Sequence, residues 1–377
     1  MSMQRVIYRA FPQCLSWVAV VLAVWAVPWP GRGMTFNVTY DASVNALTNA
    51  AQVKTAFAAA TQTLQNEFTN PITINIVVYW GSTGPFSGGI DLGASSTEYY
   101  GFYTYAQITN ALQTLRSSLD DSNAVASLPG TDPVATNKWL VPLAEGRAMG
   151  LPGIARTDTN IDGSVGFAAD VAYTFIATNR AVAGKYDFIG VAEHEITEVM
   201  GRGYDLNYNG GAYIPFDLFR FTNRGSRSFG LNDQGVYFSV DGGLTAVKYF
   251  YTNYNDGDLQ DWLSSTPPDA YDAFCPWGEQ LNLTPADFTA LDILGYNAPM
   301  ATFPLLARLQ RTGSLAQISF TNTTGATFSV LYNTKVTAAL TNWAFLGMAT
   351  QTTAGHFLFT DPGAGTNKTG FYRIRSP

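Results

Sequence analysis

Residues 297–304 read NAPMATFP, and the character of the chain changes across them. Upstream, segments with apolar residues at helical spacing alternate irregularly with β-branched stretches. Downstream, AQISFTN, TFSVLYNT, NWAFLGMATQ, HFLFTDP and GFYRIRSP are short strand-like runs with turn residues between them. Two such patterns bury their apolar residues in different ways, so the break predicts two domains. The expected architecture is α+β over residues 34–298, followed by a small all-β, sandwich-like module over 299–377.

Residues 1–33 read as a cleaved signal peptide. Arg5 and Arg9 supply a basic start, and CLSWVAVVLAVWAV is an uninterrupted apolar run. That run is shorter than the roughly 20 residues a spanning helix needs. Cleavage is expected after Ala26 or near Gly31–Gly33. The protein is therefore expected to be secreted or held at the cell surface, with no membrane association after cleavage.

The net charge of −7, with only 13% charged residues, sets nucleic acid aside as a partner. Cys14 falls in the leader, which leaves Cys275 alone in the remainder, so neither an intrachain disulfide nor a cysteine-based zinc site can form.

Within 34–298, VNALTNAAQVKTAFAAATQTLQNEF and YAQITNALQTLRSSL have helical spacing, while ITINIVVYWG and DGSVGFAADVAYTFIAT read as strands. GSTGPFSGGIDLGASS reads as loop and SLPGTDPVATN as turns. LTPADFTALDILGY opens with Thr284, Pro285 and Asp287, a good N-cap and first turn.

The chemistry centres on VAEHEITEVMGR, residues 191–202. On a helix, Phe188, Ile189, Ala192, Ile196, Val199 and Met200 form one apolar face. His194 and Glu198 lie one turn apart on the other side, where i and i+4 side chains can converge on one cation. Zinc accepts imidazole nitrogen and carboxylate oxygen alike, so Glu198 can stand where a second histidine is more familiar. Glu195 would then take the proton of a metal-bound water. The alternative is an ordinary i, i+4 ion pair between Glu198 and Arg202.

EHEITEVMGR, with IPFDLFRF, YFSVDGG and LTPADFTALDILGY in order downstream, resembles a family of bacterial exported, metzincin-like metalloproteases that carry His-Glu-x-x-Glu in place of His-Glu-x-x-His. The resemblance spans roughly residues 35–298 and implies a zincin fold, zinc as cofactor and a polypeptide substrate. Gly201 stands where metzincins turn the chain towards a third ligand, but Tyr204 occupies the expected ligand position. Asp217, in IPFDLFRF, and Asp205 are the acids that could replace it. Tyr204 or Arg202 could stabilise an oxyanion. The C-terminal strands TNWAFLG, HFLFTDP and GFYRIRSP resemble a small β-domain found at the ends of many bacterial exported proteins, which implies an accessory role.

DTNIDG (Asp158, Asn160, Asp162) and DLNYNG (Asp205, Asn207, Asn209) have the oxygen spacing of the first half of a calcium loop, so calcium is the second cation to consider. The expected function is an exported zinc metallopeptidase with Glu195 as general base. The rival is a non-catalytic exported binding protein on a degenerate zincin scaffold, calcium-holding or not.

Overall fold

The computed structural model describes residues 33–136, 138–208, 210–298, 307–312, 315–322, 324, 326–336, 343–364 and 370–375. Residues 1–32, which hold the expected signal peptide, lie outside the described residues. The chain divides between Ala298 and Pro299 into two compact units.

The first unit is α+β. Its strands are β1 (Thr35–Tyr40), β2 (Thr73–Trp80), β3 (Gly93–Thr97), β4 (Tyr99–Tyr103), β5 (Trp139–Pro142), β6 (Gly163–Phe167), β7 (Tyr173–Thr174), β8 (Tyr186–Asp187), β9 (Arg220–Asn223), β10 (Ser226–Arg227), β11 (Tyr237–Phe238) and β12 (Lys248–Tyr249). Its helices are α1 (Ala42–Asn45), α2 (Ala50–Glu67), α3 (Tyr105–Leu115), α4 (Leu119–Ser127), α5 (Leu143–Met149), α6 (Phe188–Val199) and α7 (Pro285–Asp292).

The main sheet runs β1-β2-β6-β3. β1, β2 and β6 are parallel, and β3 joins the far edge antiparallel to β6. Ile74, Ile76 and Val78 make β2 an apolar central strand. Helix α2 buries Val53, Ala56, Phe57, Ala60 and Leu64, a single stripe at helical spacing. Helix α6 packs beside α2 and against β3 and β6. Phe188, at the start of α6, sits 4.4 Å from the Phe167 ring and 4.9 Å from the Phe175 ring, which fixes that end of the helix on the sheet.

Three elements differ from the sequence reading. GASST, read as loop, is β3, because its small residues let the strand lie close under α6. Between the second helical segment and the turn-rich SLPGTDPVATN lies α4, which the sequence reading leaves unassigned; it is started by a capping box between Ser118 and Asp121. LAEGRAM, which the sequence reading leaves unassigned, forms the fully buried α5, with Glu145 and Arg147 inside the core. Helix α7 starts at the expected place, with a capping box between Thr284 and Asp287.

In the second unit every described element is a strand: β13 (Ala307–Thr312), β14 (Leu315–Thr321), β15 (Ser329–Asn333), β16 (Ala344–Met348), β17 (Thr350–Thr353), β18 (His356–Asp361) and β19 (Phe371–Arg375). They form two antiparallel sheets, β13-β14-β18-β17 and β16-β15-β19. Ile318, Phe320, Phe328, Val330 and Phe357 fill a small core of their own. No helix among the described residues is long and apolar enough to cross a membrane.

Candidate metal centre

Helix α6 is buried on nearly every side, so its charged residues need partners. Asp187, just before the helix, is held by Arg180 through both carboxylate oxygens, at 2.9 and 2.8 Å, and accepts from the Leu281 amide. Arg180 also reaches Glu193 at 3.3 Å. Glu193 therefore belongs to a structural ion pair.

On another face of the helix, His194 and Glu198 come together with Asp261, from the loop before Trp262. One ligand-type atom from each of the three lies within 4.8 Å of the others, and this group of residues could hold a metal ion. His194 Nε2 stands 3.3 Å from Glu198 Oε1 and 3.4 Å from Asp261 Oδ1. Its Nδ1 lies 2.8 Å from the Ala270 carbonyl oxygen, which must accept the Nδ1 proton. The bond fixes the ring orientation and turns Nε2 towards the two acids. The imidazole keeps 16% exposure, so the group opens on one side.

Surrounding residues hold the acids in place. Ser95, on β3, donates to Glu198 Oε2 at 2.7 Å, and Gln260 donates to Oε1 at 2.6 Å. The Gln260 side-chain oxygen, Oε1, is buried with no hydrogen-bond partner. Arg202 is wholly buried, 2.5 Å from Asp261 and 3.3 Å from Glu198. It also donates to the His194 carbonyl at 3.2 Å and lies over the Tyr271 ring at 4.2 Å. The i, i+4 ion pair between Glu198 and Arg202 is thus present, as an underlayer of the same cluster.

Electrostatics follow from this crowding. Burial and Arg202 pull the His194 imidazole down, but Asp261 and Glu198 outweigh them and lift it to about 10. Burial works to raise Glu198, yet the hydrogen bond from His194 and the Arg202 charge hold it down at about 2. Glu195, beside them, is driven well above the ordinary carboxylate range by burial and then by the Glu198 charge. With Nδ1 protonated, an imidazole facing two carboxylates must carry a proton on Nε2 or coordinate a cation there. The donor set of one imidazole nitrogen and two carboxylates fits zinc as well as the proton.

Glu195 lies against β3. An ideal Cβ on Gly93 would stand 2.3 Å from Glu195 Oε1, so only glycine leaves room for the carboxylate. At the end of the helix Gly201 takes φ +113 and returns the chain, its N–H donating to the Glu198 carbonyl at 3.0 Å. Tyr296, the last aromatic of LDILGY, donates to the Met200 carbonyl at 2.8 Å.

The sequence pointed to Asp217 or Asp205 as third acid; the structure brings Asp261 instead. Asp217 Oδ2 accepts from the amides of Asp205, Leu206 and Ile214 at 3.2, 3.1 and 3.0 Å, and so braces the loop that follows α6. Asp205 donates one of those amides and is not in the group. Arg202 faces the underside of the cluster with its guanidinium engaged, which leaves none of it for an oxyanion. Tyr204 is half-buried, and burial, then Asp258, lifts its phenol to about 12; Asp261 also contributes. The acids of DTNIDG are occupied as well: Asp158 and Asp162 hold the buried Arg147 guanidinium at 2.6 and 2.7 Å, where a calcium ion would sit.

Asp261 went unrecognised because no local spacing joins it to the helix. The one available signal was its place in an acid-rich, aromatic loop, YNDGDLQDW. Comparison with protein-family models and with curated proteins gives no match for this chain.

Proposed function

We propose that the protein is an exported metallopeptidase with zinc held by His194, Glu198 and Asp261. The convergence of one imidazole nitrogen with two carboxylates carries this reading. Zinc bound there would supply a Lewis acid and a water that ionises near neutral pH. The chain's own residues do the rest. Ala270 fixes the imidazole tautomer, Ser95 and Gln260 orient Glu198, and Arg202 orients Asp261.

Glu195 is the proton acceptor. Burial, then the Glu198 charge, pushes its carboxyl well above the ordinary carboxylate range when the cluster is metal-free. A cation at the neighbouring cluster favours its ionised form, which can then take a proton from water and pass it to a leaving amine. Tyr204 is the candidate oxyanion donor. β3 supports a polypeptide substrate: it ends the sheet order, and an extended chain pairing with that edge would run past Glu195. The zincin-like fold of the first unit, the sandwich-like form of the second and export by way of the N-terminal leader belong to the same proposal.

One observation favours a second reading, that of a non-catalytic binding protein. Arg202 together with a protonated His194 balances the charges of Glu198 and Asp261 without any metal. Metal analysis with a peptide-cleavage assay separates the two. Zinc at one per chain and cleavage lost in Glu195→Gln support the enzyme, and a zinc-free, inert protein supports the rival.

A further inference from the structure

Asp261 lies outside every helix and strand, so its place in the cluster depends on how the backbone around it is held. Two bonds come from its own loop. The Asp261 amide donates to the Asp258 carbonyl at 3.3 Å, and the Asp261 carbonyl accepts from the Tyr251 amide at 2.8 Å. A third comes from much further along the chain: Arg220 Nη1 donates to the Leu259 carbonyl at 2.6 Å, across 39 residues of sequence.

Arg220 opens β9, where Phe238 of β11 is its antiparallel partner, so its backbone is fixed in a sheet. Its side chain is buried, with the guanidinium 4.1 Å over the Phe250 ring. Phe250 in turn packs 4.9 Å from the ring of Trp262, the residue after Asp261. Arg220 thus braces the loop on both sides of Asp261, through Leu259 before it and, by way of Phe250, Trp262 after it. Burying a guanidinium is costly, and an ion pair would offset part of that cost. Asp217, in the turn just before, has an unpartnered Oδ1. Yet no ion pair joins Arg220 to any acid among the described residues. Burial lowers the guanidinium to about 10, with the Asp217 charge opposing, so it stays a cation at neutral pH. Its charge goes instead to a backbone carbonyl, a charge-assisted bond that fixes where the loop runs.

We propose that Arg220 is a positioning residue of the metal centre: it holds residues 259–262 where Asp261 meets His194 and Glu198, a role that rests on zinc being held there. The same stretch carries Gln260, whose amide donates to Glu198 Oε1 at 2.6 Å. One guanidinium therefore places both a ligand and the residue that orients another. Without the Leu259 bond the stretch loses its tie to β9, and the ion itself must order Asp261. Part of the binding free energy then goes into that ordering, so zinc is held more weakly and in a looser geometry.

The test uses the full chain. Zinc affinity is measured by competition with a chelator, and the visible spectrum is recorded with cobalt in place of zinc. Arg220→Met keeps the volume but cannot donate; it should weaken zinc binding by about 100-fold and change the cobalt bands. Arg220→Lys keeps a donor and a charge but loses the planar stack on Phe250. It should weaken zinc by about 10-fold, and it carries the test if Arg220→Met does not fold. Ile74→Ala, a truncation in the core of β2, is the control: it should lower the melting temperature comparably while leaving zinc affinity and the cobalt spectrum unchanged. Folded Arg220 variants with the parent's affinity and spectrum would overturn the positioning role alone. So would Ile74→Ala losing zinc as the Arg220 variants do, because the effect would then be general loosening of the fold. A parent that binds no zinc would overturn the centre itself, and this role with it.

Discussion

His194 on α6 and Ala270 are joined by a 2.8 Å hydrogen bond across 76 residues of sequence. That bond fixes the imidazole tautomer and ties the helix to the loop that presents Asp261. In the metal-free protein the imidazole should stay protonated well past neutrality, because Asp261 and Glu198 lift it to about 10 against burial and Arg202. A folded pKa raised above the unfolded value means stability that is complete below about 6.5 and is lost as pH rises towards 10. Nitrogen chemical shifts of His194 in chelated protein at pH 8 should be those of an imidazolium. A neutral ring at that pH would show that the two acids do not face it.

Arg202→Met tests the underlayer. The substitution keeps volume but leaves Glu198 and Asp261 buried without their cation. We expect a loss on the order of 3–5 kcal/mol in urea denaturation with chelator present. A loss below about 1 kcal/mol would mean that the guanidinium adds little to holding the acids.

Gly93→Ala separates catalysis from stability. The added methyl would meet Glu195 Oε1 at 2.3 Å and Val191 Cγ1 at 2.7 Å. Movement of these side-chain ends should cost about 1 kcal/mol of stability, while zinc content stays unchanged. Cleavage should fall by roughly 100-fold, because a general base displaced by about 1 Å loses its alignment with the attacking water. Full activity in this variant would remove Glu195 from the mechanism.

How far the sequence could be read depended on how local each signal was. The apolar face of α6 and the Thr284 cap rest on neighbours within a few residues, and each appears as structure at its place. β3 and α5 were missed because burial there is tertiary: small residues lie under a helix, and charged residues are paired inside the core. The i, i+4 relation of His194 and Glu198 was legible for the same local reason. Asp261 was not, because folding alone brings its loop to the helix, and Asp217 was misassigned because its backbone-bracing role has no sequence signature.

Asp292 links α7 to the start of α4, accepting from Ser118 Oγ at 2.6 Å. Burial, then the nearby Asp121 charge, pushes its carboxyl up to about 8. Its contribution is present at acid pH and is lost as pH rises from about 4 through 8. Asp292→Asn should flatten that decline, on the order of 1 kcal/mol per pH unit across the window. Denaturant titrations at pH 5 and pH 8 give the comparison, and an unchanged slope would show that Asp292 is ionised in the folded protein.

Zinc stoichiometry of the full chain and its single variants tests the metal centre most directly. After dialysis against zinc and removal of the excess, the parent should retain about one zinc per chain, the occupancy expected for a three-ligand site. His194→Ala and Asp261→Asn should each lose it, while Asp217→Asn and Glu195→Gln should keep it. A zinc-free parent, or zinc that survives Asp261→Asn but is lost in Asp217→Asn, would contradict the centre described here.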